Sequence, residues 1–439
     1  MFARLAFIVP ACNAAKTLTD TLLSLEKQTT PEWQAIVVDD GSTDGTAACV
    51  RRIGDPRITL VRQTNQGLPT ARNMGICEAR ADYLCFLDAD DIVEPAFVET
   101  MIEAIGDADL AACATRMLGP GLNDLGWVIH PTAADCTIER MIEFNPLAVG
   151  SIVVRAATIR RPEMLSAGQL FDPDLTCHED WDAWLRMTAS GARWARPRQD
   201  ALFGYRLRRG SMSSKLAEMH TVGRRVIGRA SVRPELKAGA QHRWSVRHLA
   251  RAIAADEGSL ASDLRAQIGS LSAQDLDILA GAFRHAFGLA EHVCPTSMSP
   301  DVRDRRNALV LAHLAGPEAE RLLDRLAHDH VEMLAQIVTT LAEGDIPVLY
   351  GMGRNGHRAA EAMDALLQGK PWGWIDDAAG ADAPGRGIRL RRDMLTTRHV
   401  VIVTPEDRGA ILRSLAARGI RRVFELQGMR GGIFDTALP

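Results

Sequence analysis

From residue 4 to residue 113 the chain alternates short, continuous apolar runs with longer stretches whose apolar residues recur at helical spacing. LAFIVP (5–10), AIVVDD (35–40), ITLVRQ (58–63), YLCFLDADD (83–91) and LAACATR (110–116) read as strands. Between them TLTDTLLSLEKQ (17–28), with Leu18, Leu22 and Leu25 on one face, TAACVRRI (46–53), LPTARNMGICEARA (68–81) and EPAFVETMIEAI (94–105) read as helices. Strands that are apolar along their whole length are buried on both faces. A mostly parallel α/β sheet with helices on either side is therefore expected. In such a sheet ligands gather beyond the carboxyl ends of the strands, where the strand order reverses.

After about residue 215 the texture becomes helical, as in Leu334, Ile337, Val338 and Leu341, which form one stripe. His285, His313, His328 and His330 lack the helical metal spacing with a neighbouring carboxylate and are read as solvated or core-rim residues. A last α/β unit begins at Ile346. Its VLYGMGRNGHRAAEAMDALL places Gly351, Gly353 and Gly356 between strand and helix, with Asp376 and Asp377 ending WGWIDD, the spacing of a dinucleotide fingerprint. The chain beyond Ile346 has room for only one nucleotide-binding half, so two readings stand: a nucleotide held at this loop, or glycines serving only a tight turn. The expected organisation is 1–215, an α/β domain, then 216–345, helical, and 346–439, Rossmann-like.

Composition narrows the classes. The 439 residues suggest two or three domains, and a net charge of −4 gives no general attraction to nucleic acid. The eight cysteines show no metal spacing and mostly sit in apolar runs, as in a reducing compartment. No apolar run reaches the length of a membrane span, so a cytoplasmic protein is expected. Residues 221–254 are strongly basic, with Arg243, Arg247 and Arg251 on one helical face. That face would suit a peripheral contact with the inner membrane surface or an ion-paired contact within the protein.

The chemistry is carried by acids at strand ends. VVDDGSTDGT ends a strand on Asp39 and Asp40, and DADD ends another on Asp88, Asp90 and Asp91, where Asp91 could instead cap the helix after it. Arg72 lies on a helix beside them, able to pair with these acids or with a phosphate. HEDWDAWLRM then sets Glu179 and Asp180 before an amphipathic helix. Carboxylates at one sheet edge with a further acid downstream suit transfer of a sugar from a nucleoside diphosphate to a hydroxyl. That reaction needs a cation on the leaving diphosphate and a base on the hydroxyl.

Over residues 4–215 the stretches VPACNAAKTLTDTLLSLEKQT, VVDDGSTDGT, NQGLPTARNMG, FLDADD and HEDWDAWLR, in this order, resemble family 2 of the inverting glycosyltransferases, with the GT-A fold. The resemblance implies that Asp40 reads the nucleotide base with Asp39 beside it, and that Pro10, Ala11 and Asn13 line the nucleoside loop. It implies a DxD motif in which Asp88, Ala89 and Asp90 meet the nucleotide sugar and Asp88 and Asp90 hold Mn²⁺ or Mg²⁺. Asp180 resembles the general base, with Glu179 and Trp181 orienting a saccharide, lipid-linked or other hydroxyl acceptor. Two positions depart from the pattern. Cys12 stands where an aromatic often stacks on the base, and Arg208, in FGYRLRRGSMSS, stands where a metal-touching histidine is expected. An arginine cannot ligate a cation but can clamp a diphosphate. A nucleotidyltransferase and a non-catalytic nucleotide-sugar-binding scaffold are the competing readings.

Overall fold

The computed structural model describes residues 3–208, 215–291, 300–314, 316–327 and, towards the C terminus, 346–350, 363, 367, 372–375, 388–389, 399–403 and 423–425. Contacts divide the chain into two compact units, residues 1–252 with 257–270 and residues 253–256 with 271–439.

The first unit is built on a six-stranded mixed sheet. Its strands are β1 (Ala3–Ala11), β2 (Trp33–Asp40), β3 (Ile58–Gln63), β4 (Ala81–Phe86), β6 (Leu110–Ala112) and β9 (Ile152–Arg155), in the order β3-β2-β1-β4-β9-β6. β1 pairs in parallel with both β2 and β4, while β9 runs antiparallel to β4 and β6. The chain winds outwards from β1 to β3 and then returns to the other side of β1. The order thus reverses between β1 and β4, beside the ends that carry the aspartates.

Along each strand, alternate side chains enter opposite cores. Ala6, Ile8, Ile36, Val38, Leu84 and Phe86 pack on one face, and Leu5, Phe7, Val9, Ala35, Val37 and Cys85 on the other. This two-sided burial is the reason for the continuous apolar runs. Helices α1 (Leu18–Glu26), α2 (Thr46–Ile53) and α4 (Phe97–Ile105) contribute to the second core. α3 (Leu68–Glu78), α5 (Ile138–Met141), α6 (Glu179–Ala189), α7 (Leu216–Arg229) and α8 (Pro234–Ala254) contribute to the first. α3 lies close on the sheet because Gly75 has no Cβ; one built there would fall 2.4 Å from Ile8. A further helix, α9 (Gly258–Ile268), completes the unit.

Two expected strands end differently. β4 stops at Phe86, and the Asp91 amide turns back to the Asp88 carbonyl at 3.1 Å, so the acids lie in a turn rather than on a strand. A turn lets each carboxylate find a donor that a ladder position would deny it. The run 110–116 is split: β6 belongs to the main sheet, whereas β7 (Thr115–Leu118) joins a second sheet. That sheet has the order β5-β10-β7-β8, with β5 (Ile92–Val93), β8 (Asp124–Ile129) and β10 (Phe203–Arg206). Its β10 delivers the chain to Arg208.

The second unit has helices α10 (Ala273–Glu291), α11 (Pro300–His313) and α12 (Pro317–Ala327) and a parallel sheet. The sheet contains β11 (Ile346–Tyr350), β12 (Gly373–Ile375), β13 (Ile388–Arg389), β14 (His399–Val403) and β15 (Val423–Glu425), in the order β13-β12-β11-β14-β15. This is a doubly wound arrangement, again reversing beside its first strand. Gly351, Gly353, Gly356, Asp376, Asp377 and the stripe from Leu334 to Leu341 lie outside the described residues.

Candidate functional site

The twin aspartates that end β2 are both buried. Asp39 accepts from the Ser42 amide at 3.0 Å and from Arg62 Nε at 2.9 Å. Asp40 accepts from Gln63 Nε2 at 2.8 Å, the Gln66 amide at 2.8 Å and the Gly67 amide at 2.9 Å. Three of about four acceptor positions on the Asp40 carboxylate are therefore filled by the end of β3 and the loop leading into α3. Only its remaining lone pair is open to a base. Asn13, in a left-handed conformation at φ 52°, accepts from the Thr43 amide at 3.0 Å and ties the loop after β1 to the turn after β2. Pro10 and Ala11 are buried under that loop, and Cys12 is exposed, with Asn65 Nδ2 3.4 Å from its sulfur.

At the end of β4, Asp88 is partly exposed and pairs with Arg72 at 2.7 Å, while Asp90 pairs with Arg208. Burial and then the Asp88 charge push the Asp90 carboxyl up, and the Arg208 guanidinium opposes them. Ala89 between them is buried. Asp91 is not a helix cap: α4 begins at Phe97 with Ala96 before it, and the buried Asp91 carboxyl accepts from the Arg206 amide of β10 at 2.8 Å. Burial, Asp90 and Asp88 push Asp91 well above the usual range, against the Arg206 amide and guanidinium, and its carboxyl ties the turn after β4 to β10.

Arg72 is the hub. It is 2% exposed, and its two terminal nitrogens go to Asp88 and to Glu179. The sequence left Arg72 able to pair with these acids or with a phosphate; in the structure it pairs with two carboxylates. Burial disfavours that charge, but Asp88, Glu179 and Asp180 outweigh it and raise the Arg72 pKa. One cation does not satisfy three acids. Burial, offset in part by Arg72 and reinforced by Asp180, pushes Glu179 up to about 7. Asp180 is likewise raised, by burial first, then by Asp88, against Arg72, the Trp181 amide and Asn145. The charge on Arg72 stands; the deficit falls on the carboxylates.

α6 starts abruptly because His178 adopts a left-handed conformation at φ 60°, uncommon for a side-chain-bearing residue. Its Nε2 lies 3.1 Å from the Met219 carbonyl of α7, and its ring packs edge-on against Trp181 and Trp244 at 5.4 and 5.3 Å. That braces the turn that brings Glu179 to Arg72. Gly223 permits the close α7–α8 approach behind it, since a Cβ there would fall 2.2 Å from the Trp244 ring.

Two expectations are corrected. Trp181 does not face an acceptor: it is 0% exposed, donates to the Met141 carbonyl at 2.6 Å and stacks with Trp244 at 4.8 Å. An indole on the first turn of α6 finds its apolar partner in α8 and its polar one in α5. Part of the basic run 221–254 also turns inward. Arg243 and Arg247 pair with Glu143 at 2.8 and 3.5 Å, whereas Arg225, Arg229 and Arg233 are exposed. Glu179 is buried and held by Arg72. No helix among the described residues is long and apolar enough to cross a membrane.

Sequence reasoning missed Asn145, whose Nδ2 donates to Asp180 at 2.9 Å, and Gln63 and Gln66, which close around Asp40. Asn145 lies in an irregular segment with no motif to mark it. The glutamines were legible only as neighbours of NQGLPT.

Residues 6–160 match the model of "Glycosyl transferase family 2". The uncharacterized glycosyltransferase YibD of Escherichia coli (strain K12) is 35% identical over 44% of this chain and 45% of its own. The succinoglycan biosynthesis protein ExoO of Rhizobium meliloti (strain 1021) is 31% identical over 49% of this chain and 64% of its own. The chain thus spans about half the length of these curated relatives, between 45% and 64%. Among solved structures, S. aureus TarS 1–349 in complex with UDP-GlcNAc aligns with a TM-score of 0.45 at 18% identity, over 74% of this chain and 91% of that one. Residues 6–160 of this chain are thus similar to the family 2 glycosyl transferases.

Proposed function

We propose that this protein transfers a sugar from a nucleoside diphosphate sugar to an acceptor hydroxyl with inversion, in the assembly of a cell-surface polysaccharide. The observation that carries this reading is the buried Arg72, which joins the strand-end acid Asp88 to Glu179, next to Asp180. A donor-side carboxylate and an acceptor-side base are thereby held together at the reversal point of the sheet. UDP is the favoured nucleotide, and the biosynthetic name of ExoO supports a saccharide or lipid-linked acceptor.

Asp180 is the general base. It is partly exposed, and its raised pKa brings it closer to neutral pH, where a base combines availability with proton affinity. It takes the proton of the acceptor hydroxyl as the oxygen attacks the anomeric carbon from the face opposite the diphosphate. Direct displacement of this kind needs no carboxylate nucleophile.

Asp88 and Asp90 would hold a divalent cation. They supply only oxygen donors, and the crowding that raises Asp90 is relieved by positive charge, a place Arg208 takes here. Among the described residues no group of three or more such side chains is arranged to hold an ion alone, so phosphate oxygens of the donor would complete the set. When bound, the cation neutralises charge on the departing diphosphate. Arg208, half exposed beside Asp90, is suited to bind a phosphate oxygen as well.

A thermal-denaturation screen against UDP-, GDP- and dTDP-linked sugars, with and without Mn²⁺, tests the reading, because a bound ligand raises the midpoint. One donor class should raise it, and Mn²⁺ should enlarge the rise; no shift with any donor sinks the proposal.

A further inference from the structure

Asn145 is connected to the acid at the start of α6 and to nothing else that the proposed chemistry uses. Its Nδ2 donates to Asp180 Oδ2 at 2.9 Å, and its Oδ1 accepts from the Leu147 amide at 3.4 Å. A carboxylate only accepts and an amide N–H only donates, so these two partners fix which end of the side-chain amide faces Asp180. The other Asp180 oxygen accepts from the Trp181 amide at 2.7 Å. With one donor on each oxygen, the carboxylate cannot turn about its χ2 bond without losing a hydrogen bond.

The segment bearing Asn145 is itself held from α8. Arg243 Nε lies 2.8 Å from Glu143 Oε1, an ion pair by distance though not a well-aligned hydrogen bond, and Arg247 reaches Glu143 Oε2 at 3.5 Å. The Arg247 guanidinium also lies over the Phe144 ring, 4.5 Å from its centroid, and Arg140 lies 4.6 Å from the same centroid. These are stiff, planar contacts on the two residues just before Asn145.

We propose that Asn145 is the positioning residue of the acceptor-side base: it fixes the plane of the Asp180 carboxylate, and Arg243 and Arg247 of α8 hold Asn145 in register to do so. This rests on the reading of Asp180 as the base. Arg243 and Arg247, within the basic run 221–254, thereby have a role inside the first unit, as the brace of the proposed base. A hydrogen bond to the ionised carboxylate also favours that form, against burial and Asp88 after β4 and in company with Arg72 of α3 and the Trp181 amide.

The test compares Asn145→Ala, Asn145→Ser and Asp180→Asn in the full chain. UDP release is measured from UDP-glucose, UDP-galactose or UDP-N-acetylglucosamine, whichever turns over. The Asp180 carboxylate is titrated by ¹³C-aspartate NMR and assigned by its absence in Asp180→Asn. Asn145→Ala should lower kcat by about 10- to 100-fold, the worth of one hydrogen bond to a charged group, with donor KM within about twofold. It should raise the Asp180 pKa and move the acid limb of the rate profile to higher pH. Asn145→Ser, which keeps a shorter donor, should recover part of both effects and serves if the alanine variant fails to fold. Unchanged titration in the Asn145 variants overturns the proposal. So does unchanged kcat in them while Asp180→Asn is inactive, and the base then stands without its brace. Full turnover by Asp180→Asn overturns the base itself, whatever the titration shows.

Discussion

At the end of β2, Asp39 and Asp40 receive hydrogen bonds from Ser42, Arg62, Gln63, Gln66 and Gly67, whereas at the start of α6 Glu179 relies on the Arg72 guanidinium it shares with Asp88, and Asp180 has one donor on each oxygen, Asn145 and the Trp181 amide. Each pair consists of adjacent acids at the edge of the same unit. The β2 pair is well supplied with donors from the turn after β2, the end of β3 and the loop leading into α3. The α6 pair sits close to Asp88 with Arg72 as the common cation, and burial lifts both its pKa values. These donors make the first pair a frame for the loops around it. Crowding raises the proton affinity of the second pair, which is what the proposed base requires.

The largest test of this contrast is the chemical step. Asp180→Asn keeps the shape and removes the basicity, so turnover should fall by about 10²–10⁴-fold, with little change in folding stability or donor affinity. Asp39→Asn should leave turnover far closer to that of wild type. Assaying both variants side by side, and determining the anomeric configuration of the product, checks the assignment; retention of configuration would break it.

Arg72→Met should be the most destabilising single change at the site, by about 3–5 kcal/mol in urea unfolding, since it strands Glu179 in the interior and removes the partner of Asp88. Asp40→Ala should cost about 2–4 kcal/mol, because the Gln66 and Gly67 amides and the Gln63 side chain lose their acceptor together. An Asp40→Ala protein as stable as wild type would mean that these loop bonds are exchanged for water without loss.

The smallest expected effect is on the pH dependence of stability. A carboxyl whose pKa rises on folding binds its proton more tightly in the native state. Its stabilising contribution is complete below the unfolded value of about 4.5 and is lost as pH climbs through the folded value of about 7. Wild type should therefore lose stability relative to Glu179→Gln between about pH 4.5 and 7, seen as diverging denaturation midpoints. Parallel curves would remove the crowding argument for this pair.

The alternation of apolar runs, the helical stripes and the acids at strand ends were legible along the chain, because two-sided burial and the cost of burying charge act on local sequence. The turn after Phe86, the division of 110–116 between two sheets and the inward turn of Trp181 were not. Each depends on a partner far away in sequence, Arg206 for Asp91 and Trp244 for Trp181 among them. The same holds for Arg243 and Arg247: a basic helical face looks alike whether it meets solvent, lipid or a protein carboxylate, and only Glu143 decides it. Local sequence thus dictated the α/β layering of the first unit and the acids available to its site. Folding in three dimensions settled which acids are quenched by local donors and which compete for Arg72, because that competition is a matter of distance and burial between segments about a hundred residues apart.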